Sequence, residues 1–408
     1  MANKHLVLIS DLGHTGPIWP QILDGVASTG WRITILTPRM SFAQKRFFGL
    51  NYSSKKWKLV ETSGFPSPYR KYAGYPKIVR TPFQLFSNFF FSKELKNQDN
   101  FDGYLHWKDK ALCELNRIYV DTPFELLIST SSPFMTHIIA KDFVENHNVK
   151  WIADYRDLWS LNHASLSVNQ KQVEYEKDIL AKATACSTTS DGFKESLSQI
   201  FKGEIVTIHN GYDTLYPQKI QRPKSSILIL YPGQIYKNLQ DIRLLLRAIE
   251  IFNSQRNSLK VTLFISGYAI AHVKEVLQEI GFIKKDWVKF GAVLPLKESL
   301  KLQRDADLLL LLNCTNPKVE GWMQTKLYEY ISSGVTIIAV GGGNDESSRL
   351  ISETNTGIIL RSEREIVDFL NRYSSKDFIY PLWNLPQIKK LSRFQQGIEL
   401  SKFIQNII

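Results

Sequence analysis

HLVLISDLGHTGPIWPQILDGVASTGWRITIL, residues 5–36, opens with an apolar run from His5 to Ile9 that stops at Ser10-Asp11. A turn containing Gly13 and Gly16 follows, then a segment around Ile18 to Ser28 with helical spacing. Gly30 ends that segment, and Arg32 to Leu36 forms a second strand-like run. Strand, glycine-bearing turn, helix and strand within about thirty residues make a βαβ unit, the building block of a parallel, doubly wound sheet.

The same alternation continues outward. Leu126 to Ser129 reads as a strand ending in Thr130-Ser131-Ser132-Pro133, with a helix to about Asn146. Lys150 to Ala153 is a strand running into Asp154-Tyr155-Arg156-Asp157-Leu158-Trp159. A helix near Gln170 to Ala181, the segment Ala185 to Thr189 and a strand from Ile205 to Ile208 complete this half. Pro217 to Pro223 is polar and turn-rich, the best linker in the chain. A second series begins at once: strands Ile227 to Tyr231, Lys260 to Ile265, Val288 to Phe290, Leu308 to Leu312 and Thr336 to Val340, with helices between them. The tail places Phe394, Ile398, Leu400, Phe403 and Ile407 at helical spacing. The expected fold is α/β, two Rossmann-like doubly wound domains facing a central cleft. Residues 1–217 form the N-terminal domain, 218–390 the C-terminal one, and 391–408 a helix packing back on the first. Ligands of such sheets gather beyond the C-terminal strand ends, so the turns just named are the candidate site positions.

Bulk properties narrow the class. At 408 residues the chain exceeds one ordinary hydrophobic core. Its 43% hydrophobic and 22% charged residues are those of a globular protein, not a disordered one. The apolar stretch at the N-terminus is too short for a signal-peptide core, and none approaches the roughly 18 apolar residues of a spanning helix. The expected location is therefore the cytoplasm. Cys113, Cys186 and Cys314 are isolated and read as small buried residues, not a disulfide framework or metal site. The net charge of +12 calls for an anionic partner. Nucleic acid is disfavoured, because no zinc-finger or RNP-type motif occurs. Between Arg39 and Lys110, basic residues interleave with aromatics: Lys45-Arg46-Phe47-Phe48, Lys55-Lys56-Trp57-Lys58, Tyr69-Arg70-Lys71-Tyr72, then Phe83, Phe86 and Phe89-Phe90-Phe91. Such a mixture suits peripheral contact with an anionic membrane, or equally amphipathic helices whose aromatics pack inward.

The strongest chemical constellation is Gln324-Thr325-Lys326-Leu327-Tyr328-Glu329-Tyr330-Ile331, followed by Gly334, a strand and Gly341-Gly342-Gly343. In the first turn of a helix, Lys326 and Glu329 share one side. The exposed N–H groups of that helix start favour an anion, a lysine can meet a diphosphate, and a carboxylate can accept both hydroxyls of a ribose. A surface Lys/Glu pair is the plain alternative. After the strand at 150–153, Arg156 can hold a phosphate or acceptor carboxylate and Asp157 can orient an acceptor hydroxyl, or the Asp and Arg side chains there simply stabilise the loop. His14, in the first turn, can reach donor or acceptor, or be a turn residue.

The stretch T-K-L-Y-E-Y-I-S-S-G-V-T-I-I-A-V at 325–340, with Gly357 closing a later turn, resembles the donor-site region of retaining glycosyltransferases of family 4, whose two-domain fold is called GT-B. Further pieces occur in the order that family has them: I-S-T-S-S-P at 128–133, W-I-A-D-Y-R-D-L-W at 151–159, I-H-N-G-Y-D at 208–213, Y-P-G-Q-I-Y-K-N-L at 231–239 and A-D-L-L-L-L-L at 306–312. The resemblance is weakest between 40 and 110. By position it implies that Glu329 holds the nucleotide ribose and that Lys326 and Thr325 sit beside the diphosphate. Gly233 then lets the backbone approach the phosphates, and Lys237 neutralises the leaving group. Many members carry two glutamates with a fixed spacing; Glu320 lies farther from Glu329 than that pattern has it, and stands as a candidate near the donor sugar.

The resemblance thus implies a retaining hexosyltransferase acting in polysaccharide or glycoconjugate synthesis. It would move a hexose from a nucleoside-diphosphate sugar to a hydroxyl of a glycan or lipid-linked acceptor. No metal or other cofactor is expected, since lysines and helix N–H groups can stabilise the departing diphosphate. Two alternatives stay open: a nucleotide-sugar epimerase on the same fold, and a non-catalytic assembly partner that retains it.

Overall fold

The computed structural model describes residues 4–48, 56–63, 104–162, 168–220, 225–255, 259–282, 285–314, 316, 319, 321–343, 345–375 and 378–408. The chain divides into two compact units, Met1–Asn210 with Arg393–Ile408, and Gly211–Ser392. Glu320 and most of the aromatic-basic stretch, including Tyr69 to Tyr72 and Phe83 to Phe91, lie outside the described residues.

The first unit is built on a seven-stranded sheet in the order β3-β2-β1-β4-β5-β6-β7. These strands are β1 (His5–Ile9), β2 (Arg32–Thr37), β3 (Lys58–Glu61), β4 (Leu126–Ser131), β5 (Lys150–Tyr155), β6 (Ala185–Thr188) and β7 (Glu204–Thr207). Every pairing is parallel. The central strands β1 and β4 are buried along their whole length, as helix-covered parallel strands must be. The helix Ile18–Ala27 turns Trp19, Ile22, Leu23 and Val26 into the core. Against it lies the C-terminal helix Arg393–Ile407, which adds Leu400 and Ile404 to the same core.

The second unit has a six-stranded parallel sheet, β10-β9-β8-β11-β12-β13. Its strands are β8 (Ser226–Pro232), β9 (Lys260–Ser266), β10 (Val288–Gly291), β11 (Leu308–Leu312), β12 (Thr336–Val340) and β13 (Gly357–Leu360). Five leucines in a row make β11, buried on both faces. The amphipathic helix Arg243–Ser254 covers one face with Leu245, Leu246, Ala248, Ile249 and Phe252. Chain order reverses between β8 and β11, as it does between β1 and β4 in the first unit. A crevice forms outside the carboxyl ends of the strands at such a reversal.

The division falls at Asn210 and Gly211, ahead of the polar stretch at 217–223 expected to be the linker. Backbone hydrogen bonds explain the difference. The N–H of Tyr212 donates to the Leu391 carbonyl (3.1 Å), that of Tyr216 to Ser332 (2.8 Å) and that of Lys219 to Gly334 (2.6 Å), so this segment belongs to the second unit. Leu391 and Ser392 stay with it too, and the C-terminal helix begins at Arg393.

Three further observations bear on the sequence reading. Among the described residues no helix is long and apolar enough to cross a membrane. None of their His, Cys, Asp or Glu side chains group as metal ligands. Cys186 is buried and Cys314 partly so, but Cys113 is exposed on the helix Leu105–Asp121.

Candidate functional site

At the reversal in the second unit, β8 ends at Pro232 and the chain turns through Gly233 with φ of +116°, a region in which a side chain is strained. The Gly233 N–H donates to the Ser266 carbonyl (2.7 Å) and its own carbonyl accepts the Ala269 N–H (2.9 Å). Gly267, with φ of +104°, packs on it so closely that a Cβ there would stand 3.0 Å from the Gly233 oxygen. Two glycines therefore let the turns after β8 and β9 touch backbone to backbone.

The helix Thr325–Ser332 faces that turn. Gln324 precedes it, and no side chain caps its start. The Gln324 amide serves instead as a tie: its Nε2 donates to the Leu312 carbonyl (2.8 Å) and its Oε1 accepts from Gln240 Nε2 (3.1 Å). Gln240 Nε2 also reaches the Leu312 carbonyl (2.7 Å), and its Oε1 accepts the Tyr236 N–H (3.1 Å). The Tyr236 and Trp322 rings pack edge to face with their centroids 5.1 Å apart. Loops after β8 and β11 are thereby held together at the helix start.

Lys326 lies within this frame. Its ammonium nitrogen stands 3.9 Å from the centroid of the Tyr231 ring. A Cβ built on Gly233 would come within 3.2 Å of it. That nitrogen is buried and has no hydrogen-bond partner among the described residues. Loss of surrounding water pulls the lysine down to about 7, against the opposing field of Glu329. Beneath it, the Tyr231 hydroxyl is occupied in donating to the Gln234 carbonyl (2.7 Å), and burial pushes that phenol up. Glu329 is half-buried and accepts from Gln303 Nε2 at 3.3 Å. Thr325 is exposed at the first helical position.

The structure thus brings Gly233, Lys326 and Glu329 to one corner of the second unit. Lys237 is in the same turn as Gly233, but its ammonium pairs with Glu275 in an exposed ion pair. After β12, Gly342 adopts φ of +71° where a Cβ would meet Asn313, and Asp345 caps the next helix through the Ser348 N–H (2.7 Å).

In the first unit, Asp154 is fully buried. Its two oxygens accept from Thr130 (2.7 Å), Ser187 (2.8 Å) and Trp19 Nε1 (3.1 Å). Arg156 completes the set with Nε at 2.8 Å and Nη2 at 3.0 Å, a bidentate fork. The remaining terminal nitrogen, Nη1, donates to the Ile208 carbonyl (3.0 Å) and Asn210 Oδ1 (3.3 Å). Its guanidinium also lies 5.0 Å from the Trp19 ring centroid. Of the two readings of this arginine, the geometry gives the structural one: it ties β5 to the end of the unit. Asp157, by contrast, is exposed on the loop after β5. His14 is exposed on the short helix Leu12–Thr15, whose start is capped by Asp11 through the Gly13 N–H (2.9 Å).

Tyr231, Gln240, Gln303 and Gln324 shape the site, and the sequence reading gives none of them a role in it. Tyr231 reads there as one more apolar position of a buried strand. The glutamines follow no period, and only their folded partners reveal them.

No protein-family profile matches the chain, and no curated protein matches its sequence. Its fold does match solved structures. Sucrose-phosphate synthase from Thermosynechococcus elongatus superposes with a TM-score of 0.68 at 14% identity, over 99% of this chain and 99% of that one. A glycosyltransferase from Rickettsia africae gives 0.60 at 12% identity, over 100% and 99%. HepE from Anabaena, solved in complex with UDP and glucose, gives 0.54 at 11% identity, over 99% and 97%. At such identities the likeness shows the fold, α/β with the two Rossmann-like units of GT-B proteins.

Proposed function

We propose that the protein is a glycosyltransferase that moves a hexose from a nucleoside-diphosphate sugar to a hydroxyl of a glycan or lipid-linked acceptor. The observation that carries this reading is the buried Lys326 ammonium at the strand-order reversal of the second unit, without a hydrogen-bond partner among the described residues and flanked by a glycine turn. A buried cation without an acceptor is costly, and an oxyanion supplied by a ligand removes that cost. The shared fold with proteins solved around UDP and glucose supports a nucleotide sugar as the source of that anion.

In this proposal Lys326, the Thr325 hydroxyl and the first N–H groups of the helix take the diphosphate, with Gly233 allowing the backbone to come close. Glu329 accepts from the ribose hydroxyls. Lys237 leaves Glu275 to neutralise the departing phosphate. Glu320 belongs near the donor sugar. Asp157 and His14 serve the acceptor side, Asp157 orienting the attacking hydroxyl. Arg156 acts as a positioning residue for this loop. Catalysis is mainly electrostatic, with charge developing on the leaving diphosphate met by fixed cations and dipoles and no metal needed. Retention at the anomeric carbon and a place in polysaccharide synthesis follow the family resemblance; a cytoplasmic site of action, peripheral at the inner face of the plasma membrane, follows the short apolar run at the N-terminus and the basic-aromatic stretch between Arg39 and Lys110.

The test replaces Lys326 and Glu329 singly with Ala and measures donor binding by thermal shift and sugar transfer with a panel of nucleotide sugars. A charged hydrogen bond of about 1.5–3 kcal/mol corresponds to an affinity loss of roughly 10- to 150-fold for each. Unchanged binding and transfer in both variants would remove the assignment. Consumption of donor without any acceptor would identify an epimerase instead.

A further inference from the structure

The environment of Lys326 has a consequence for how its ligand binds. The nitrogen is enclosed by the Tyr231 ring on one side and the Gly233 backbone on another, with no acceptor in reach among the described residues. Of the charged groups there, Glu329 acts on it from the same helix, and that carboxylate is shared with Gln303. The phenols of Tyr231 on β8 and Tyr330 on the helix are both pushed up and stay neutral. Lys237, in the adjoining turn, is engaged by Glu275. Among the described residues the field of Glu329 and the face of the Tyr231 ring offset its charge, but no acceptor bonds to the nitrogen, and an arriving anion supplies one.

We propose that a diphosphate entering this site brings a proton with it, taken up by the Lys326 amine, so that anion affinity weakens as pH rises above neutrality. This rests on the donor-site reading above and adds a regulation to it. The sign follows from linkage. In the free protein the lysine is pulled from its ordinary 10.5 down to about 7. Phosphate oxygens within hydrogen-bond distance restore the charged form, so between those two values the complex holds a proton that the free protein lacks. Affinity then falls with rising pH across that window, by up to about tenfold per pH unit.

Calorimetric titration with UDP, ADP and GDP in turn, at about pH 8 in two buffers of different ionisation enthalpy, counts the protons exchanged. The full chain should take up close to one proton for whichever nucleotide binds. Lys326→Arg, charged at every pH used, should bind with no more uptake than the nucleotide's own phosphate requires. Equal uptake by the two proteins would overturn the inference and leave the donor site standing. Should the arginine variant fail to fold, the dissociation constant of the unaltered protein decides: a flat profile from about pH 6 to about pH 9 is the overturning result. If none of the three nucleotides binds, the donor-site reading falls, and this inference with it.

Discussion

Asp154 and Arg156 show how far a residue's chemistry depends on what surrounds it. From sequence the pair admits two uses, a loop anchor or a ligand clamp, because both place charged side chains just after a strand. The fold decides between them by saturating both groups: five hydrogen bonds reach the Asp154 oxygens, and every nitrogen of the Arg156 guanidinium has a protein acceptor. The Arg156 side chain is only 9% exposed, so removing it strands a buried carboxylate. Arg156→Leu should therefore lower stability by roughly 3–5 kcal/mol, read from the denaturant midpoint. If the variant instead folds as stably as its parent yet loses transfer activity, the arginine is a ligand residue after all. Lys326 is the converse case. Its spacing from Glu329 is legible in the sequence, and so is the helix that carries both. Its depressed ionisation is not, because Tyr231 and Gly233 lie some ninety positions earlier in the chain and only packing brings them beneath the ammonium.

Elements were legible where local pattern and tertiary role agree. β1, β11 and β12 are buried on both faces and so read as plain apolar runs, and β8 is buried over Ile229 to Tyr231. β3 is an edge strand with no buried position, and its residues carry no such run. The helix Leu105–Asp121 has weak apolar periodicity, and its anchor, Trp107 Nε1 on Thr62 Oγ1 at 3.0 Å, is a contact no local window contains. The packing of Ile18–Ala27 on Arg393–Ile407 is equally non-local, and it hangs on two glycines. A Cβ on Gly25 would stand 2.1 Å from the Phe394 carbonyl oxygen, and one on Gly397 2.0 Å from that of Ile22. Helix propensity alone predicts that alanine stabilises either position by up to about 1 kcal/mol. Here the obstacle is backbone, which cannot rotate aside, so the helices must part. Gly25→Ala and Gly397→Ala should each destabilise by roughly 1–3 kcal/mol in thermal or denaturant unfolding. A gain in either variant would mean that the two helices do not meet as closely as described.

That helix pair also governs how the molecule is divided, since the last fifteen or so residues of the chain complete the unit with which it begins. Leu400 and Ile404 are fully buried in the first unit's core, each contributing roughly 1.5–3 kcal/mol by burial. Arg393 donates to the Asn210 carbonyl (3.0 Å) and to Gln21 Oε1 (2.6 Å), and the Gln396 side chain accepts the His209 N–H (2.7 Å). Set against a domain stability of about 5–15 kcal/mol, the loss of these contacts, together with exposure of Ile22 and Val26, is enough to unfold the first unit. The second unit, Gly211–Ser392, draws none of its core from the tail. A chain ending at Ser392 should therefore fail unevenly. Under limited proteolysis its N-terminal unit should be digested while a fragment spanning about Gly211 to Ser392 persists, and that fragment, holding Gly233, Lys326 and Glu329, should keep whatever nucleotide affinity the full chain shows. Mass spectrometry of the surviving fragments reads the outcome directly. Uniform digestion of both units would show that the second depends on the tail as well.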